Sequence, residues 1–296
     1  MKKFKFILRL SVTLILISYL IFKTDIKKLS DIIAETNILF LFIASLLYLF
    51  SSYLSTLRWK LFVCSDCSLT IRKLFSIYMV GTFFNIFLPG IMGGDLMRII
   101  ILRKITGIGD AVASVFLERY IGFLALLFLG FIFFLLFYSY MPKNELIFLV
   151  PLLFLIFSSL SIFIFALRKF SFFRLLIDYF YKFNSKAFSK AFLYSLIIQL
   201  IVMFSVYLIF LSIGASVRFY EVVIYLPVII VLTTLPISIS GLGVREWSFV
   251  VFFGGTLGNE KAVAVALLWF LSVAFASLLG GIEYLRFKNF FDMPKK

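Results

Sequence analysis

The chain has no histidine, only two cysteines and six prolines in 296 residues, and half as many acidic as basic groups, 14 against 29. Without histidine it lacks the commonest metal ligand and the commonest general base near neutral pH. Cys64 and Cys67 form a CxxC, but two thiols alone fall short of a four-ligand zinc site. They read as incidental thiols. No GxxxxGK[ST] stretch occurs, so a P-loop nucleotide engine is excluded. No metal, no cofactor and no nucleic-acid partner are expected.

Charge is scarce as well. Charged residues make up 15% of the chain and apolar ones 63%, with a mean hydropathy of +1.13. Several runs approach or exceed the roughly 20 apolar residues that cross a bilayer. Spans are expected near residues 5–22, 38–57, 112–138, 147–167, 191–213 and 262–283. The basic start leads into the first run with no small-residue cleavage site, so that run is read as a retained span. Trp59 and Trp247, near span ends, read as interfacial or tip anchors. Residues 168–190 read as a polar loop with aromatic interleaving, able to lie on an anionic leaflet. The whole chain, 1–296, reads as one polytopic membrane domain.

Basic loops mark the cytoplasmic side. The N-terminal tail, residues 58–73, 103–110 and 168–190, and the C-terminal tail hold 20 Lys and Arg against 4 Asp and Glu. The opposite loops hold six of each. Both termini are therefore expected in the cytoplasm and the protein in the cell membrane. Seven charges remain within or beside apolar segments: Asp95, Arg98, Glu118, Arg119, Arg245, Glu246 and Glu283. Glu283 sits near a helix end and can reach interfacial water. The others form three couples, Asp95/Arg98, Glu118-Arg119 and Arg245-Glu246.

Two further stretches, 74–102 and 222–258, are apolar but interrupted. The first carries Pro89, Gly93, Gly94, Asp95 and Arg98; the second Pro236, Gly241, Gly243, Arg245 and Glu246. Proline and glycine break helices, and charge in hydrocarbon is costly. Each stretch starts and ends on one side of the membrane, the two on opposite sides, either as a re-entrant hairpin or as a span with a short return. Asp110-Ala111-Val112-Ala113 follows the first and Lys261-Ala262-Val263-Ala264 the second. The expected fold is an all-α integral membrane bundle of about 6–8 spans with two Pro/Gly-broken re-entrant hairpins, in an inverted-topology repeat with halves near 38–138 and 191–283. Such repeats place a transported substrate at their interface.

A helix restarting after Gly93-Gly94 or Gly241/Gly243 offers free N–H groups to an anion. Arg98, Arg119 and Arg245 add planar forks suited to phosphate, and Asp95, Glu118 and Glu246 can orient them. Neighbours on a helix point about 100° apart, so Glu118 and Arg119 each need another partner, expected in the opposite hairpin. Two roles stay open for the couples: internal ion pairs of a kinked bundle, or charges lining a transport cavity.

Asn85-x-x-Leu88-Pro89-x-x-x-Gly93-Gly94-Asp95-x-x-Arg98, then Glu118-Arg119-x-x-Gly122, then Pro236-x-Ser238-x-x-Gly241-x-Gly243-x-Arg245-Glu246 resemble the flippase-like membrane domain of lysylphosphatidylglycerol synthases. The resemblance spans about residues 5–290. It implies movement of polar-headed lipids between leaflets and carries the six charged residues over as cavity residues. The sequence ends at Lys296 without the family's aminoacyltransferase domain, so transport rather than synthesis is expected. The substrate is then an aminoacylated phospholipid or a polyprenyl-phosphate sugar, and the partners are lipids with anionic head groups. Left open beside this are a membrane glycosyl- or acyltransferase, a non-transporting partner of a glycosyltransferase, a homo-oligomer, and a separate lipid-modifying enzyme as companion.

Overall fold

The computed structural model describes residues 2–63, 69–87, 93–141, 145–166 and 170–291. Cys64, Cys67, Leu88 and Pro89 lie outside the described residues. The described residues are helical, with no strand among them. In chain order they are α1 (Lys2–Lys23), α2 (Ile26–Ala34), α3 (Ile38–Lys60), α4 (Ile71–Phe87), α5 (Gly93–Thr106), α6 (Ile108–Phe137), α7 (Leu149–Ala166), α8 (Ser171–Tyr181), α9 (Ser185–Ser212), α10 (Phe219–Thr234), α11 (Val244–Leu257) and α12 (Asn259–Phe291). Two 3₁₀ turns, Tyr138–Tyr140 and Glu145–Phe148, join α6 to α7. Helices α3, α6, α9 and α12 supply four segments long and apolar enough to cross a membrane, and shorter apolar helices accompany them.

Helix α3 is apolar outward and polar inward, against the pattern of a water-soluble bundle. On α3, Leu39, Phe42, Leu46, Phe50 and Tyr53 are exposed at three- and four-residue spacing. The opposite face buries Ser45, Ser52, Ser55, Thr56 and Arg58. Lipid gives helices no hydrophobic reason to associate, so small residues and interhelical hydrogen bonds hold such contacts together. Ser45 Oγ donates to the Ser272 carbonyl of α12 at 3.1 Å, and Gln199 Nε2 of α9 to the Gly122 carbonyl of α6 at 3.1 Å.

Both interrupted stretches are helix pairs: α4 and α5, then α10 and α11. Exchanging α3–α6 with α9–α12 leaves the packing unchanged. α4 lies against α12 as α10 lies against α6; α3 meets α12 as α9 meets α6; α5 packs on α6 as α11 packs on α12. Ala111 and Ala113 are buried near the start of α6, Ala262 and Ala264 near the start of α12. The matching alanines are thus buried in both halves.

Two segments read as loops are helices. Asp25 caps α2, its Oδ1 accepting from Lys27 N at 3.0 Å and Lys28 N at 3.2 Å. Helix α8, inside the 168–190 stretch, buries Leu176, Ile177 and Tyr179, and the Tyr179 hydroxyl donates to the Phe62 carbonyl at 2.6 Å. Its basic residues obscured an apolar face that packs on α6. Trp59 is no interfacial anchor: it is fully buried.

Candidate functional site

The first charge cluster lies where α3, α5 and α6 meet. Asp95 stands in the first turn of α5 and Arg98 one turn later; Glu118 and Arg119 are mid-helix on α6. Arg119 grips Asp95 with two nitrogens, Nε to Oδ2 at 2.8 Å and Nη2 to Oδ1 at 3.1 Å. Arg98 Nη1 reaches Glu118 Oε2 at 3.1 Å and Asp95 Oδ1 at 3.3 Å. The adjacent Glu118 and Arg119 thus find separate partners, as their angular offset requires. Those partners belong to the first half of the chain, not to the opposite hairpin.

Arg58 of α3 completes this cluster. Its Nη2 pairs with Glu118 Oε1, and its Nη1 donates to Ser195 Oγ of α9 at 2.8 Å. Counted along the sequence, Arg58 belonged to a cytoplasmic loop; in the fold its side chain is 6% exposed. Burial of an arginine this deep demands partners, because an unpaired charge in low dielectric is heavily penalised. The Arg98 guanidinium also lies 4.1 Å from the centre of the Trp59 ring and 4.5 Å from that of Tyr78. The aromatic faces cover nitrogens that make no hydrogen bond.

The α4–α5 crossing brings backbone against backbone. A Cβ on Gly94 would collide with the Gly81 carbonyl oxygen of α4, and Gly94 N–H donates to Asn85 Oδ1 at 2.9 Å. Gly93 is likewise buried. Only glycine lets α5 start this close to α4.

The second cluster sits at the start of α11. Gly243 has φ +80°, a conformation suited to glycine, and a Cβ there would meet Leu16 Cβ of α1 at 2.9 Å. Gly241 is also left-handed, and Pro236 is exposed in the turn before it. Glu246 Oε2 accepts from Gly243 N at 2.7 Å, while its Oε1 accepts from Arg245 Nη2 at 2.6 Å and Nε at 3.0 Å. One carboxylate thereby caps the helix and holds the arginine. Arg245 lies 4.6 Å from the centre of the Phe270 ring. An acidic residue stands in the first turn of both α5 and α11, where the helix dipole favours it. Asn85 and Glu246 each take one N–H group at these helix starts.

The two clusters converge on one cavity of about 230 Å³. Arg119 comes from the first half and Arg245 from the second; Asn85, Thr233, Thr234 and Ser240 add polar atoms, with Trp269 and Phe270 as apolar wall. The Arg119 side chain is 38% exposed and Arg245 11%, whereas Arg98 is 3% and Glu118 1% exposed. Arg98, Glu118 and Arg58 therefore sit behind the cavity, and Asp95 links them to Arg119.

Long apolar helices, two broken pairs and buried charges that meet at a polar cavity define a multi-pass helical membrane protein. The chain belongs to the lysylphosphatidylglycerol synthase transmembrane region family, whose model matches residues 6–281. No curated protein and no solved structure matches it significantly.

Proposed function

We propose that the protein moves a phosphate-bearing, polar-headed lipid between the leaflets of the cell membrane. The observation that carries this reading is the cavity shared by Arg119 and Arg245, one from each half. Arginine forks suit phosphate oxygens. A volume of about 230 Å³ is below the ~300–1,000 Å³ of pockets that enclose drug-sized molecules. It suits a head group whose chains remain in lipid.

Arg119 and Arg245 grip the phosphate. Asp95 and Glu246 hold those arginines in place, and Arg98 and Glu118 brace Asp95 and Arg119 from behind. Pro89, Gly93, Gly94, Pro236, Gly241 and Gly243 serve as hinges. Both termini lie in the cytoplasm and the broken pairs are re-entrant, in opposite orientation, so rocking one half against the other alternates access to the cavity. The exchange symmetry of the packing supports this inverted-repeat reading. The head group is that of an aminoacylated phospholipid or a polyprenyl-phosphate sugar.

The test is leaflet exchange in liposomes holding the purified protein and fluorescent lipids of several head groups, read by dithionite quenching. Exchange that depends on the head group and slows about 10- to 100-fold in Arg119→Ala and Arg245→Ala is expected. Full exchange in both variants, or none for any anionic lipid with folded protein, overturns the proposal.

A further inference from the structure

A second basic cavity lies where the start of α4 meets the end of α5. It measures about 460 Å³ and is walled by the start of α4, the end of α5 and the late part of α12. Arg72 and Lys73 come from α4, Lys104 from α5 and Arg286 from α12. Glu283 is the one carboxylate lining it among the described residues. Its Oε2 accepts from Ser76 Oγ at 2.8 Å and its Oε1 from Arg286 Nη1 at 2.8 Å. Among the described lining residues, four cations stand against one carboxylate.

Local structure does not explain this excess. Arg72 and Lys73 occupy the first turn of α4, which carries no acidic residue. A helix start favours negative charge, so two cations there are at the wrong end of the dipole. Below the charged rim the wall is apolar: Ile77 and Ile101 are buried, and Ile105 of the same cavity is exposed. The neighbouring Ile282 and Leu285 of α12 are exposed as well. A cationic rim thus borders an apolar wall, with exposed apolar residues of α12 next in sequence to Glu283 and Arg286.

We infer that this cavity binds the phosphate of an anionic phospholipid, with the acyl chain lying along the apolar wall. The chemistry is phosphate plus hydrocarbon, which a basic pocket between helices at a membrane face recognises. A lipid held there ties both legs of the first broken pair to the last helix of the second half. The site is separate from the Arg119/Arg245 cavity, and the inference holds whether or not the protein moves lipid.

The experiment uses the full-length protein, delipidated in detergent, with thermal unfolding followed during titration with phosphatidylglycerol, phosphatidylcholine or inorganic phosphate. Phosphatidylglycerol should raise the unfolding temperature and the other two should not. From the contribution of each basic side chain near an anionic head group, Arg72→Gln/Lys104→Gln should weaken the apparent affinity roughly 30-fold, and Lys73→Gln alone roughly fivefold. Lys23→Gln/Lys27→Gln, which removes two exposed cations elsewhere, should change nothing. Three outcomes overturn the inference: an undiminished shift in the Arg72/Lys104 and Lys73 variants, an equal loss in the Lys23/Lys27 control, or an equal shift with inorganic phosphate.

Discussion

Each charged residue of the site has a different degree of freedom, and that separates structural from contact roles. Arg58, Arg98 and Glu118 are enclosed by protein on all sides. Removing one member of a buried pair leaves its partner uncompensated, at about 3–5 kcal/mol. Arg58→Ala should therefore lower the unfolding temperature sharply in detergent, as should Glu118→Ala. The double variant should be less damaging than the sum of the two, because neither Arg58 nor Glu118 is left without the other, and Arg98 keeps Asp95. The Arg119 side chain is 38% exposed and its alanine variant should fold normally; Arg245→Ala leaves the buried Glu246 with only the Gly243 N–H and should fold with a lowered unfolding temperature. Loss of a charge-assisted contact to phosphate corresponds to about 10- to 100-fold in exchange rate. Arg245→Lys should remain impaired, since an ammonium cannot reproduce the fork that now binds Glu246. Asp95, Arg98, Glu118, Arg119, Arg245 and Glu246 were legible in the sequence as charge in apolar surroundings. Arg58 was not, because Trp59-Lys60 after it made it look like a helix-end charge. The available signal was the spacing of Ser45, Ser52, Ser55 and Thr56, a polar stripe that turns Arg58 inward.

At the scale of the helix, close backbone approach rather than charge sets what can change. Gly94→Ala should break the α4–α5 crossing, since its Cβ has no room beside Gly81. The expected result is aggregation or a broad peak in size-exclusion chromatography. Gly255→Ala on α11 meets nothing within 4 Å and should be neutral or stabilising by up to about 1 kcal/mol. The Tyr179 hydroxyl fixes α8 to the end of α3 through Phe62. Tyr179→Phe should cost about 1 kcal/mol and speed amide exchange in α8. Helix α8 escaped the sequence reading because its apolar face, Leu176, Ile177 and Tyr179, is short and embedded among basic residues. The long spans and the two breaks were readable because hydrophobic length and Pro/Gly interruption act locally. The pairing of Arg98 with Trp59, 39 positions apart along the chain, is a product of packing and leaves no local trace.

For the molecule as a whole, the halves are alike in packing and unlike in charge. The first half contributes Arg58, Asp95, Arg98, Glu118 and Arg119 to the buried polar set; the second contributes Arg245 and Glu246. Four guanidinium groups against three carboxylates leave one positive charge. A phosphodiester lipid with a neutral head group brings one negative charge, so the loaded protein is electrically balanced. Moving a full charge through the membrane field involves ~2.3 kcal/mol per 100 mV; in one-for-one exchange the site is loaded in both directions, and the balanced complex escapes that bias. In liposomes with an imposed potassium diffusion potential, exchange of such a lipid should keep the same rate at either polarity. A lysyl-bearing head group adds positive charge and should make the rate follow the sign of the potential. On the lipid-moving proposal, the single surplus arginine is a counter-ion during one-for-one exchange, while net transfer of an anionic lipid still does the electrical work that its own charge requires.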